Sequence, residues 1–184
     1  MNRPLPPAAP LSRRFDVAAV RDGGVDAAVD STDAERAALA HDCAIPAIDA
    51  LRGDYRVRRE GRQGLRVLGR VTARVRQVCV VSLDEFATDI DEPVDVAFAP
   101  EAEVEALAEA RAARPAEAED AEDLPDPIRN GRIDLGALTA EMLVLALDPH
   151  PRRPGIAFAP PAADASEAGG ASPFAALRGL VDRS

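Results

Sequence analysis

Cys79 and Ser82 are three residues apart in RVRQVCVVSLDEF, residues 74–86, the spacing at which two cysteines would hold a metal or form a redox pair. Serine in the second position removes the resolving thiol, so a redox centre is not expected. Zinc needs three or four thiolate or imidazole donors at short spacing. The remaining donors are His41, Cys43 and His150, and only His41 and Cys43 are neighbours. No metal site follows from them. Cys79 also falls on the apolar parity of its segment, where a free cysteine packs as a small hydrophobe. The carboxylates of SLDEFATDIDEPVD do not make a calcium loop: counted from Asp89, the positions for the turn glycine and the bidentate glutamate hold Val94 and Pro100.

The chain has no glycine-rich phosphate loop, no lysine, and no histidine in a hydrolase-like motif. No catalytic residue, cofactor or small-molecule substrate is therefore expected. The alternative is a site assembled from dispersed acids such as Asp134 and Glu141. Against it, Asp134 reads as a helix N-cap and Glu141 as a helix-surface or core-rim residue.

Arginine carries the strongest signal. Between Leu51 and Val78 nine arginines face only Asp54 and Glu60, a local balance of +7 within a chain of net charge −10. Arg66, Arg70, Arg74 and Arg76 share one strand parity, with Arg56 and Arg58 on the preceding run. Such a stripe could grip RNA phosphate through bidentate contacts. A second reading stays open beside it: Asp89, Asp91 and Asp95 on the next run pair with the stripe across the sheet. No aromatic residues interleave the arginines, as a single-strand stacking platform would require.

These residues need elements to carry them. FDVAAV, residues 15–20, reads as a short strand, and Thr32 with Glu35 forms a capping box opening a helix over 32–43. From Leu51 to Phe98 the apolar period is two. Leu65, Val67, Val71, Ala73, Val75, Cys79, Val81 and Leu83 share one parity, and Phe86, Ile90, Val94, Val96 and Phe98 share another. The pattern predicts a hairpin and a third strand, interrupted near Pro93. Asp134 caps a helix to residue 147, with Leu135, Leu138, Met142 and Leu145 on one face and its last turns apolar all round, as in a buried helix. Prolines in DPHPRRPG stop it.

The expected fold is α+β, an antiparallel sheet packed by two or three helices. The expected organisation is a flexible N-terminus over 1–12, a domain over 13–158 with an acidic mobile insert at 101–127, and a linker with a short amphipathic segment over 159–184. Phe174, Leu177 and Leu180 form that segment's apolar side. The first half of the insert reads as an exposed helix. No run approaches 18 apolar residues and the N-terminus lacks a signal-peptide core, so a cytoplasmic protein with reduced thiols and no membrane partner is expected. The net negative charge argues against coating nucleic acid through a global field.

Assembled in order, DAERAALA, GRVTARVRQVCVVSLDEFATDIDEPVDVAFAP, DLPDPIRNGRIDLGALTAEMLVLALDPHPRRPG and SPFAALRGL resemble the YceD family, large ribosomal RNA subunit accumulation proteins, in its alphaproteobacterial form. The core motifs are Q-x-C-V-V-x-L-[DE], with Gln77 and Cys79, and IDLG-x-L-x-x-E-x-L, with Asp134, Leu135 and Glu141. Many members carry C-x-x-C where this chain has Cys79 and Ser82, so a role for paired cysteines does not transfer. The resemblance implies a non-enzymatic ribosome biogenesis factor that supports 23S rRNA accumulation and large-subunit assembly. Two mechanisms follow as expectations. In one, Arg56, Arg58, Arg66, Arg70, Arg74 and Arg76 dock on large-subunit rRNA or a precursor particle. In the other, the acidic segment chaperones a basic large-subunit ribosomal protein.

Overall fold

A computed structural model describes residues 10–113 and 123–156. Residues 114–122 of the acidic insert and the C-terminal segment with Phe174, Leu177 and Leu180 lie outside the described residues.

The period-two pattern builds a long meander. Strands β3 (Ala47–Glu60), β4 (Gly64–Val78) and β5 (Glu85–Pro100) pair antiparallel, with β2 (Val25–Asp30) added to β3 and the short β6 (Asp126–Ile128) added parallel to β5. The sheet order is β2-β3-β4-β5-β6. A second, two-stranded sheet joins β1 (Arg14–Asp16) to β7 (Arg132–Asp134). Alternation puts Val57, Leu65, Val67, Val71 and Val75 on one buried face. Helix α1 (Asp33–Asp42) packs against β3, while α3 (Leu135–Ala146) packs against β3, β4 and β5. Helix α2 (Glu101–Ala112) has no buried residue, which fits its acidic, alanine-rich sequence. The α+β class is as the sequence predicts.

Sheet and helix meet at the chain's one tyrosine. Tyr55 on β3 stands directly opposite Gly69 on β4 and two residues from Gly53. A Cβ on Gly53 would strike the Tyr55 ring, and one on Gly69 would strike the Asp54 carbonyl and the same ring. The ring fills the space those side chains would have taken. Its hydroxyl lies 2.7 Å from Thr139 Oγ1 on α3, and Thr139 in turn donates to the Leu135 carbonyl at 2.7 Å. Burial raises the Tyr55 pKa, keeping the phenol neutral.

Both helix starts are fixed as the sequence predicts. Thr32 and Glu35 form the reciprocal capping box, at 3.3 Å from Glu35 N–H to Thr32 Oγ1 and 2.8 Å from Thr32 N–H to Glu35 Oε2. Glu35 also receives the Arg13 fork at 2.7 and 2.9 Å. Asp134 accepts from the N–H groups of Gly136 and Ala137 at 3.0 Å each, from the Arg13 N–H at 2.7 Å and from the Ser12 hydroxyl at 2.5 Å. A single carboxylate therefore caps α3 and ties the N-terminal strand to it.

Several elements differ from the sequence reading. FDVAAV forms β1 followed by a 3-10 turn, and VDAAVD, too short and alanine-rich to signal itself, forms β2. The meander begins at Ala47, four residues before the expected start. Pro93 does not interrupt β5, because among the described residues no strand pairs with that part of its far side and no ladder donor is lost. Leu11 is buried and Ser12 bonds Asp134, so order begins before residue 13. On α3 the buried leucines are Leu135, Leu138 and Leu143, while Val144 and Leu145 are 51% and 70% exposed. Val81 and Leu83 lie in a turn after β4, and Leu83, at φ +63, is 76% exposed.

Two outcomes test this framework. Gly69→Ala should destabilise by about 2–3 kcal/mol through overpacking, and Tyr55→Phe by about 1 kcal/mol through the lost hydrogen bond. Urea midpoints read both, and an unperturbed Gly69→Ala protein would refute the close approach. The Arg13 fork and the capping N–H hold the Glu35 carboxyl down at about 2, below its ordinary 4.5. Ionised Glu35 thus contributes stability that is present above pH 4.5 and is lost as pH falls toward 2. Glu35→Gln should be less stable than the parent at neutral pH, and the difference should vanish across that window in acid-unfolding profiles.

Candidate functional site

The arginines expected to form a cationic stripe do share the outward face of β3 and β4, and the strand register brings acids to them. Arg74 is directly opposite Asp89, at 2.8 and 3.0 Å. Arg66 and Arg70 reach diagonally, Arg66 to both oxygens of Asp95 at 2.5 and 3.0 Å and Arg70 to Asp91 at 2.5 Å. Arg66 also touches Glu60 at 3.2 Å. A register shift between Ile48 and Ala50 leaves Asp49 without an opposite residue, and its carboxylate takes Arg76 at 3.1 Å. On β3, Arg56 pairs with Asp26 at 2.8 Å, and Arg52 bridges Asp30 and Asp54 at 2.6 Å each.

Arg58 is exposed and makes no ion pair among the described residues, although its charge is felt at Asp95. Hydrogen bonds from Arg66 lower the Asp95 pKa, those from Arg52 lower that of Asp54, and the guanidinium groups of Arg52, Arg66 and Arg76 are shifted upward in return. The pairs are solvent-exposed and open to salt screening, so they set the local field more than they stabilise the fold. Seven outward arginines (52, 56, 58, 66, 70, 74 and 76) stand among nine acids: Asp26, Asp30, Asp49, Asp54, Glu60, Glu85, Asp89, Asp91 and Asp95. Asp89, Asp91 and Asp95 are legible as partners from strand parity. Asp26, Asp30 and Asp49 are not, since they depend on β2 and on the β3 register shift.

Gln77 and Cys79 serve a different purpose. Buried Gln77 donates from Nε2 to the Asp148 carbonyl at 3.1 Å. Cys79 is fully enclosed, and its sulfur accepts from the N–H groups of Ser82 at 3.5 Å and Arg153 at 3.4 Å. Val80 N–H donates to the Pro151 carbonyl at 2.9 Å, and Arg153 lies 3.4 Å from Asp84. The segment after α3 is thus pinned to the turn after β4, a contact between residues some 70 positions apart that neither motif discloses alone. Hydrogen bonds from Ser82 and Arg153 pull the Cys79 thiol down to about 6, while desolvation opposes them.

Asp134 is occupied as the α3 cap, and its donors hold its pKa low against the effect of burial. Leu135 is core, and Glu141 is exposed beside an apolar groove of about 430 Å³ between α1 and α3. Among the described residues no group of three or more His, Cys, Asp or Glu side chains could hold a metal ion, and no helix is long and apolar enough to cross a membrane.

Comparison with known proteins gives one match. A family model described as Large ribosomal RNA subunit accumulation protein YceD covers residues 67–181, more than half of the chain. No curated protein and no solved structure matches.

Enclosure and acidity oppose each other at the two thiols, which makes them a test of the turn. Cys79 has the lower pKa but no access, whereas half-buried Cys43 is raised by desolvation. Iodoacetamide should alkylate Cys43 at least tenfold faster than Cys79 in the folded protein, with the difference lost in urea. Faster reaction at Cys79 would mean that the turn opens readily.

Proposed function

The chain belongs to the YceD family, and we propose that it is a non-enzymatic cytoplasmic factor supporting accumulation of large-subunit ribosomal RNA by holding a basic large-subunit ribosomal protein during assembly. One observation carries the choice of mechanism. The outward arginines are matched by acids, so the sheet face offers phosphate no net cationic field. The uncompensated charge is negative. Residues 101–126 contain ten acids against Arg111 and Arg114, and described Glu103, Glu105 and Glu109 on α2 are exposed. A basic protein is the complementary partner for such a surface.

A second reading rests on the exposure of the ladder. Solvent-screened pairs exchange partners readily, and Arg58 has no acid partner among the described residues. In that reading Arg56, Arg58, Arg66, Arg70, Arg74 and Arg76 trade aspartates for phosphates of rRNA or a precursor particle.

Affinity purification of the tagged chain, with and without nuclease, separates them. The first reading expects a basic large-subunit ribosomal protein to stay bound after nuclease. Its recovery should fall at least tenfold when Glu103, Glu105 and Glu109 become Gln and residues 114–122 are removed. Arg66, Arg70, Arg74 and Arg76→Gln together should leave it bound. Nuclease-sensitive association abolished by the arginine changes, with no protein retained, would establish the second reading instead.

A further inference from the structure

β5 is bonded to β4 in one continuous register from Glu85↔Val78 to Phe98↔Leu65, but β6 covers its other side only at residues 98–100. From residue 85 to 97 no described strand occupies that side. Which backbone groups face it follows from the prolines. Pro127 stands opposite Ala99 and cannot donate, so in the parallel pairing Ala99 presents its N–H and C=O to β6. Pro93 has the same parity and likewise loses no bond to β4. The odd-numbered residues 85, 87, 89, 91, 95 and 97 therefore direct N–H and C=O toward the open edge.

From these features we infer that the 85–91 edge of β5 is a strand-addition site for an extended cationic segment of a protein partner, in which arginine or lysine alternates with apolar residues. This rests on the protein-binding reading above and adds to the acidic segment a second contact on the fold. The alternation comes from the two sides of β5. On the outward side stand exposed Glu85, which makes no ion pair among the described residues, and Asp89 and Asp91, whose exposed pairs with Arg74 and Arg70 an incoming base would share; half-buried Phe86 and Ile90 lie on the inner side. An added strand would place bases beside the acids and apolar side chains beside Phe86 and Ile90. The turn leading into this edge adds Val80 and Leu83, 45% and 76% exposed, as an apolar contact. A second copy of the chain is the wrong occupant, because edge-to-edge pairing would bring Glu85, Asp89 and Asp91 against the same acids and would supply no base beyond Arg70 and Arg74, which are already paired. The acids thus block self-association while leaving the edge open to a cation-bearing strand.

The test uses the full chain and a ten-residue peptide alternating arginine with valine, compared with the same peptide N-methylated at alternate residues. Amide hydrogen exchange should slow at least tenfold at residues 87, 89 and 91 with the first peptide, and the methylated one should bind at least tenfold more weakly. Ala87→Pro removes an edge donor and no β4 bond, so it should weaken binding at least tenfold with an unchanged urea midpoint. The methylated peptide provides the same test on the unaltered chain should that variant not fold. Equal binding of both peptides, or protection elsewhere, overturns strand addition. If that happens while a ribosomal protein still survives nuclease treatment, the edge proposal fails alone. If no ribosomal protein is retained, both fall.

Discussion

The Tyr55 hydroxyl meets Thr139 Oγ1 at 2.7 Å in the interior, with the ring lying where Gly53 and Gly69 have no side chains. The rest of the arrangement follows from that contact. It fixes the height of α3 above the sheet, which lets Leu135, Leu138 and Leu143 enter the core beside Val57, Val67 and Val71. With α3 in place, Asp134 stands at its N-terminus where the N–H groups of the helix and of Arg13 converge. That convergence positions β1 on β7. A chain poor in aromatic residues depends on this single ring because few other side chains could fill the same gap.

The opposite side of the sheet has a different organising rule. Arginine and aspartate alternate across β2 to β5 so that every outward arginine except Arg58 finds an anion directly opposite, diagonally or at a bulge among the described residues. A face that looks strongly basic over residues 51–78 is close to neutral once its neighbours are in register. Charge counted along a sequence window and charge presented by a surface are different quantities, and recognition depends on the second.

The elements most legible in the sequence were those whose signal is local. The capping box at Thr32 and Glu35, the Asp134 cap and the parity of β4 and β5 each depend on residues a few positions apart. The inner face of β5 could be assigned from Phe86 to Phe98 for the same reason. β2 was not legible, because VDAAVD is marginal as a strand until β3 supplies its partner. The effect of Pro93 cannot be read locally, since it depends on whether a neighbouring strand needs an N–H at that position, which is a property of the sheet. Leu145 fits the helical period but lies past the edge of what α3 covers. At the arginine face, Asp89, Asp91 and Asp95 could be named, whereas Asp26, Asp30 and Asp49 required the fold.

Two kinds of sequence separation coexist in this molecule. β3 and β4 are joined through residues 61–63 and β4 and β5 through residues 79–84, so these hairpins close locally. The Ser12 to Asp134 bond instead spans 122 residues. Local closures carry the smaller entropic cost and form sooner. On a chain emerging from its N-terminus, the meander can zip once residue 100 has appeared, and its inner face then waits for α3. Until α3 arrives, Tyr55 and the valines around it stay open to water, so synthesis of residues 101–146 sets the length of that exposure.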